Sequence, residues 1–283
     1  MIEKKPRKHK HCYNMGCNED VQLDTCNVGK ENMKNELQNI CDLIRECGKL
    51  MRNADRSKLQ IDSKLGRANF VTSYDKKVQN ALQRGLADIM PEAHFIGEEG
   101  SEQKFEHKGK FFIVDPIDGT TNFIKDFHAS SISVALAVDG AVQLAAIYNP
   151  YLDEMFSAER GCGAFCNGKP IRVSNEPLEN GIVIFGTSPY DSDLSEKSFS
   201  LAYEYYRKAL DIRRTGSAAI DLCAIAAGRA ELFFELSLSP WDYAAGTLIV
   251  EEAGGIVTDT EGNPLSLEHK CSLIARNRKA QPL

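Results

Sequence analysis

The sequence contains no long apolar run. A membrane-spanning helix needs roughly 18–20 consecutive apolar residues, and the best candidate, residues 132–148, is interrupted by Asp139-Gly140. The sequence also has no excess of positive charge, because its 34 Lys and Arg residues are outnumbered by 40 Asp and Glu residues. We therefore expect no membrane association, and nucleic acid is not an expected partner.

Signals for export and for a disulfide framework are absent as well. Nine cysteines, an odd number, are scattered along the chain, and no apolar stretch of a signal peptide precedes them. Without an export signal, we expect a cytoplasmic protein whose thiols are reduced. With 42% hydrophobic and 26% charged residues, the composition is that of a globular protein.

The N-terminal segment differs in composition from the rest of the chain. Residues 4–10 are strongly basic, and the cysteines and histidines that follow match no closed zinc-binding pattern. We predict that residues 1–32 form a disordered extension. The folded domain is then expected at residues 33–283, with subdomains at about 33–175 and 176–283.

Helical and strand-like patterns alternate through the remainder of the chain. Apolar spacing predicts helices at residues 33–53, 73–90, 195–210, 216–228 and 241–253. Short apolar runs predict strands at 111–114, 131–138, 142–148, 154–158, 182–185, 232–234, 256–257 and 271–274. The second and third of these strands flank an Asp-Gly pair, which is typical of a hairpin. The pattern indicates a layered, mixed α/β architecture rather than a purely parallel sheet.

Two carboxylates three residues apart follow the strand predicted at 111–114. Because proline cannot continue a central strand, Pro116 predicts a turn after Asp115. A turn would point Asp115, Asp118 and the Ile117 carbonyl toward one place, and hard cations such as Mg²⁺ prefer this oxygen set. Gly119 would allow close approach of the backbone to an anion. An ordinary turn capped by an aspartate explains the same residues, so this segment alone leaves both interpretations open.

Two further acidic positions bear on that choice. Glu98 and Glu99 lie between glycines in a predicted loop, where solvated glutamates are common. Asp242 stands at the start of a predicted helix, where an acidic residue also stabilises the helix terminus. Each position has an ordinary structural explanation when taken alone.

The motifs taken together resemble those of the inositol monophosphatase family, in particular its bacterial inositol-1-monophosphatases. They are GEE at 97–99, DPIDGTTNF at 115–123, WDYAAGTLIVEEAGG at 241–255, VTSYD at 71–75, GCGAFCNGKP at 161–170 and RRTGSAAIDL at 213–222. The resemblance covers nearly all of the chain from about Met33. It implies the sugar-phosphatase fold, which alternates αβαβα layers with mixed, largely antiparallel sheets, and it implies a homodimer. Unlike most of the family, the chain ends soon after its last predicted strand, so the final helix is expected to be short or absent.

The resemblance also implies roles for individual residues. The implied ligands of two or three Mg²⁺ ions are Glu98, Asp115, the Ile117 carbonyl, Asp118 and Asp242. The implied catalytic residues are Thr120, which helps to activate the attacking water, Asp75, which orients Thr120, and Glu98. The implied substrate contacts are Ile117, Asp118, Gly119, Thr120, Gly216, Ser217, Ala218, Glu235 and Asp242.

The implied reaction is the Mg²⁺-dependent hydrolysis of a phosphate monoester by in-line attack of an activated water. Thr121, Asn122 and Phe123 resemble the inositol monophosphatase branch, which implies myo-inositol monophosphate as the substrate. Fructose-1,6-bisphosphatase or another sugar or polyol phosphatase of the same superfamily is an alternative. A second alternative is a regulatory protein that binds RNA or the transcription machinery, because some bacterial relatives have such a role.

Overall fold

The computed structural model describes residues 19–63, 70–100, 105–189 and 191–283. The first helix, α1, spans Glu19–Arg52, so it begins well before the predicted start at residue 33. Residues 19–32, which we predicted to be disordered, therefore lie in a helix; they contain no proline that would end it. The predicted disorder of residues 1–18 lies outside the described residues, and the domain boundary stays a prediction.

Apart from the start of α1, the predicted helices and strands are found within a few residues of their expected positions. After α1, the helices are α2 Ser73–Ile89, α3 Thr120–Ile124, α4 Ser195–Tyr206, α5 Ala218–Ala226 and α6 Pro240–Glu252. The strands are β1 Ile61–Ser63, β2 Phe70–Thr72, β3 His94–Gly97, β4 Lys110–Asp118, β5 Ser131–Val138, β6 Ala141–Asn149, β7 Glu154–Glu159, β8 Gly163–Cys166, β9 Lys169–Ile171, β10 Ile182–Phe185, β11 Asp211–Arg213, β12 Leu232–Leu238, β13 Ile256–Thr258 and β14 Cys271–Arg276. The sequence did not predict α3 or the short strands β1, β2, β3, β8, β9 and β11.

The larger sheet contains seven strands in the order β3-β4-β5-β6-β7-β8-β9. Its β3–β4 pair is parallel, and its other neighbouring strands are antiparallel. The predicted hairpin between β5 and β6 is present, and both of its turn residues, Asp139 and Gly140, have positive φ angles of 47° and 85°. These angles fit the tight turns that match the twist of paired strands.

A second large sheet contains five strands in the order β11-β10-β12-β14-β13, and β1 and β2 form a separate antiparallel pair. Here β10 is parallel to both β11 and β12, whereas β14 runs antiparallel to β12 and β13. The described segment after β14, residues 277–283, contains no helix.

Helices cover both faces of each sheet and produce five layers. Within β4, Phe112 and Val114 pack with α1 and α2, whereas Ile113 points to the opposite face and packs with α5 and α6. In β12, Phe233 packs with α5 and α6, while Phe234 packs with α4 on the outer side. The predicted αβαβα layering with mixed, largely antiparallel sheets is therefore confirmed. No helix within the described residues has the length and apolarity that crossing a bilayer takes.

Candidate active site

The predicted turn at Pro116 is wrong, because β4 continues through this proline to Asp118. The pairing of β4 with β5 shifts register there: Asp115 pairs with Ser133, but Asp118 pairs with Ser131. Side chains three residues apart would lie on opposite faces of a regular strand. The extra residue of this bulge brings both carboxylates to one side, and a bulge is also where a sheet tolerates proline.

A third carboxylate reaches the same place from the start of α6. Asp242 belongs to a capping box, in which its Oδ2 accepts a hydrogen bond of 2.7 Å from the Ser239 backbone N–H. One carboxylate oxygen from each of Asp115, Asp118 and Asp242 lies within 4.8 Å of the other two. The structure therefore brings together three of the predicted ligands, two from the end of β4 and one from the start of α6.

Burial makes these three carboxylates difficult to ionise together. It raises the pKa of Asp115 and of Asp242 well above the ordinary value, and the negative charges of neighbouring acids raise both further. Burial also raises the pKa of Asp118 to about 6, although hydrogen bonds from the Ser217 hydroxyl and the Ala219 N–H oppose this shift. A buried, mutually repelling set of carboxylates fits a hard divalent cation, which would relieve the repulsion.

The remaining predicted ligands lie beside this group. Glu98 follows β3 and is half-buried, and its backbone N–H donates a 3.2 Å hydrogen bond to the Val114 carbonyl. Its carboxylate is not one of the three clustered groups, but after burial its charge is the largest influence that raises the pKa of Asp115. The Ile117 backbone lies within the bulge, where its N–H donates a 3.0 Å hydrogen bond to Asp115 Oδ1.

A hydroxyl–carboxylate pair adjoins the clustered acids. Thr120 Oγ1 lies 3.2 Å from Asp75 Oδ1 and 3.2 Å from the Ile117 carbonyl oxygen. Asp75 is fully buried in the first turn of α2, where it forms a capping box with Thr72 and accepts a 2.8 Å hydrogen bond from the Thr72 N–H. Burial raises the pKa of Asp75, while the bonds from Thr72 oppose the shift. Thr120 and Asp75 are thus in contact, as the motif positions predicted.

Gly119 connects β4 to α3 in a left-handed conformation with a φ of 84°. A Cβ atom at this position would lie 2.9 Å from the Ala129 carbonyl oxygen and 3.2 Å from that of Gly216. Both the conformation and the space therefore require glycine. This close approach brings the backbone of Gly119 against the segment that begins α5.

A cavity of about 260 Å³ opens beside these groups. Ser217 is the N-cap of α5, and it lines the cavity together with its neighbours Gly216 and Ala218. Glu235 lies on β12 in the opposite wall, where its Oε1 accepts a 2.8 Å hydrogen bond from the Ser188 N–H. Burial raises the pKa of Glu235 to about 7. The predicted substrate contacts Asp118, Gly119, Thr120 and Asp242 also line the cavity, whereas buried Ile117 does not.

The cavity is also lined by residues for which the sequence predicted no role. Asn122 connects two segments that are distant in sequence. Its Nδ2 donates hydrogen bonds to the Ala129 carbonyl at 2.7 Å and to the Thr215 carbonyl at 2.9 Å. Asp221 is buried and accepts a 2.6 Å hydrogen bond from Thr215 Oγ1. Asn122 and Asp221 lie within motifs shared with the family, at 115–123 and 213–222, so a role at the site could have been predicted from these motifs. Ser188 had no such signal, because it comes from a loop without a recognised pattern.

Five alternating layers, with a carboxylate cluster between the end of β4 and the start of α6, define an α/β protein of the sugar-phosphatase fold. The model of the inositol monophosphatase family matches residues 33–283, and the chain belongs to that family.

Several relatives support this assignment. The chain is 40% identical over 217 residues to the Nus factor SuhB of Vibrio cholerae, which covers 76% of this chain and 79% of that protein. It is 39% identical over 211 residues to the inositol-1-monophosphatase of Rhizobium meliloti, covering 74% and 79% respectively. The crystal structure of the extragenic suppressor protein SuhB from Bartonella henselae superposes with a TM-score of 0.80 and 36% identity, over 87% of this chain and 94% of that one.

Proposed function

We propose that the protein hydrolyses a phosphate monoester with Mg²⁺ as its cofactor. The observation that carries the proposal is the contact between Thr120 and Asp75 directly beside three clustered carboxylates at one cavity. The proposed ligands of two or three ions are Glu98, Asp115, the Ile117 carbonyl, Asp118 and Asp242. When bound there, Mg²⁺ would neutralise the phosphate, lower the pKa of a bound water and stabilise the leaving oxygen.

Two residues of the chain, Thr120 and Asp75, would orient the attacking water and accept its proton. Thr120 Oγ1 can accept a hydrogen bond from the water while donating its own hydrogen to Asp75 Oδ1. Because burial raises the pKa of Asp75, this carboxylate accepts a proton more readily than an exposed aspartate does. Glu98, whose charge acts on Asp75 as well as on Asp115, is the third proposed catalytic residue.

The cavity walls favour a compact polyol as the leaving group. We place the phosphate against the backbone of Gly119 and Thr120, and the ring against Gly216, Ser217 and Ala218. Glu235 would accept a hydrogen bond from a substrate hydroxyl. A volume of about 260 Å³ suits one ring better than a nucleotide. These features support myo-inositol monophosphate as the substrate, with another sugar or polyol phosphate as the alternative.

Phosphate release in the presence of Mg²⁺ tests this proposal directly. The panel contains inositol 1-phosphate, fructose 1,6-bisphosphate, 3′-phosphoadenosine 5′-phosphate and histidinol phosphate, with Asp118→Asn as the inactive control. Preference for inositol 1-phosphate, lost in the control, would support both reaction and substrate. Preference for another ester would retain the reaction and change the substrate. Absence of release from every ester by a folded protein would contradict the reaction.

A regulatory role is the second proposed function. Its support is the name of the Vibrio cholerae relative, which is called a Nus factor. Expression of Asp118→Asn in cells that lack the protein distinguishes the two functions. This variant would abolish hydrolysis but leave the protein surface almost unchanged. Full complementation by this variant would favour the regulatory role, and failed complementation at equal protein level would favour the enzyme. The cytoplasmic location, and the expectation that nucleic acid is not a partner, stay predictions.

We also propose a homodimer that forms through the outer face of α4. This surface, the α4 stripe, consists of Phe199, Tyr203, Tyr206 and Leu210. Each of these side chains is more than half exposed, and such a set could form the apolar centre of an interface of about 800 Å² per partner. Glu196 lies in the first turn of α4 and Arg207 at its C-terminal end, so two antiparallel copies related by a twofold axis would place each beside its opposite charge.

The oligomeric state in solution tests the α4 stripe. Light scattering after size-exclusion chromatography should give the mass of a dimer for the unmodified protein and of a monomer for Tyr203→Glu. Lys197→Glu, on the other exposed side of the same helix, is the matched control and should remain dimeric. A monomeric unmodified protein, or a dimeric Tyr203→Glu, would contradict this interface.

A further inference from the structure

Gln79 holds the backbone of the loop that carries Glu98. Its side chain is buried on α2, and its Nε2 donates a hydrogen bond to the Glu99 carbonyl. Its Oε1 accepts a 3.0 Å hydrogen bond from the Glu99 N–H. The side-chain amide therefore pairs with both polar groups of one backbone residue, and only one orientation of the amide satisfies both bonds.

The fit between Gln79 and this loop depends on the glycine that precedes the two glutamates. A Cβ atom at Gly97 would lie 2.4 Å from Gln79 Oε1, which is too close for any contact between those atoms. Because Gly97 has no side chain, the Gln79 amide can reach the backbone of the loop. Together with the bond from the Glu98 N–H to the Val114 carbonyl, the pairing fixes the backbone on both sides of the Glu98 side chain.

The same helix face supports another part of the site. Asp75 and Gln79 are four residues apart on α2, so they lie one above the other on one face. Asp75 accepts a hydrogen bond from Thr120, and Gln79 pairs with the loop of Glu98. α2 therefore contacts both the hydroxyl that would bind the attacking water and the loop whose carboxylate would bind the metal.

We propose that Gln79 is a positioning residue, which holds Glu98 in the geometry that binds Mg²⁺ without touching metal or substrate itself. This inference rests on the proposed function, because it takes Glu98 to be a metal ligand. It assigns a role to a residue outside all of the motifs that identify the family in this chain.

The test replaces Gln79 and measures metal affinity apart from turnover. Gln79→Met keeps the length of the side chain but removes both hydrogen bonds, and Gln79→Ala, also compatible with a helix, is a second variant in case the first misfolds. Gln83→Ala, an exposed glutamine one turn further along α2, is the matched control. The readouts are the Mg²⁺ concentration that half-saturates phosphate release, the Mg²⁺-induced rise in melting temperature, and hydrogen exchange of residues 97–100 in EDTA.

We expect both Gln79 variants to need about tenfold more Mg²⁺ for half-saturation, which is the usual effect of losing a residue that orients a metal ligand. The rate at saturating Mg²⁺ should fall much less, and residues 97–100 should exchange faster even without metal. The Gln83→Ala variant should match the unmodified protein in all three measurements. Unchanged half-saturation, or unchanged exchange, in folded Gln79 variants would overturn the proposal.

Failure of this inference can be distinguished from failure of the proposed function. If the unmodified protein binds Mg²⁺ and releases phosphate while the Gln79 variants behave like it, only the positioning role is wrong. If the unmodified protein shows no Mg²⁺-induced stabilisation, the proposed metal site is wrong and the role of Gln79 falls with it. In that second case, faster exchange in the variants would show only that Gln79 holds the loop.

Discussion

Replacing Glu235 by glutamine should stabilise the metal-free protein at alkaline pH. Glu235 is buried on β12, and burial raises its pKa from 4.5 to about 7. The Ser188 N–H lowers this pKa and the charge of Asp118 raises it, but burial is the largest influence. Below pH 4.5 the carboxyl is protonated in both the folded and unfolded states, so it contributes nothing to the pH dependence. As pH rises toward 7, the unfolded chain ionises first and folding loses free energy.

The size of this loss follows from the pKa difference. At about 1.4 kcal/mol per pKa unit, ionised Glu235 costs the folded state on the order of 3 kcal/mol once the pH exceeds 7. The Glu235→Gln variant has no such charge, and its amide oxygen can still accept the hydrogen bond from the Ser188 N–H. The free energy of unfolding of the variant should therefore equal that of the unmodified protein near pH 4.5 and exceed it by about 2–3 kcal/mol near pH 8.

Urea denaturation in EDTA at both pH values measures this difference. Glu261→Gln, at an exposed surface turn, is the control and should show no change between the two conditions. A Glu235→Gln variant whose advantage is the same at pH 4.5 and pH 8 would refute the reasoning. The same variant should release phosphate more slowly, because glutamine is a weaker acceptor for a substrate hydroxyl than a carboxylate is.

Three further predictions concern the site. Millimolar Mg²⁺ should raise the melting temperature of the unmodified protein by several degrees but that of Asp118→Asn far less, because binding to the folded state alone stabilises it; equal shifts in differential scanning calorimetry would contradict the assigned ligands. Thr120→Val, which loses the hydroxyl next to Asp75, should release phosphate about 10²–10⁴-fold more slowly in a steady-state assay, whereas Thr120→Ser should retain most activity. Gly119→Ala should lower the free energy of unfolding by about 1–2 kcal/mol in urea titrations, since its φ is 84° and its Cβ would meet the Ala129 carbonyl; an unchanged midpoint would show that the backbone relaxes there.

The sequence predicted the helices and strands that are long enough for their apolar residues to show a regular spacing. The helix at residues 73–89 has apolar residues at helical spacing and ends just before Pro91, and the β5–β6 hairpin has its turn marked by Asp-Gly. Strands such as β9 and β11 have three residues each, which is too short for a period to be recognised. Their existence depends on neighbouring strands rather than on their own residues.

The clustered acids were predicted, but the way in which they meet was not. We predicted from the sequence that the carboxylates of Asp115 and Asp118 point toward one place because of a turn at Pro116. The structure uses a bulge instead, because the pairing of Asp118 with Ser131 depends on a partner strand that local sequence does not reveal. Gln79 and Ser188 were missed for the same reason, since each acts on a residue distant in sequence.

The hydrogen bonds from Ser217 and Ala219 to Asp118 join residues 99 and 101 positions apart. Contacts of such long sequence separation form late, because the entropy of closing the intervening loop opposes them until much of the chain has ordered. During synthesis the carboxylate of Asp118 leaves the ribosome well before α5 and α6 exist. Affinity for a divalent ion should accordingly appear only in the last phase of refolding, so that the proposed metal site would report when the fold is complete.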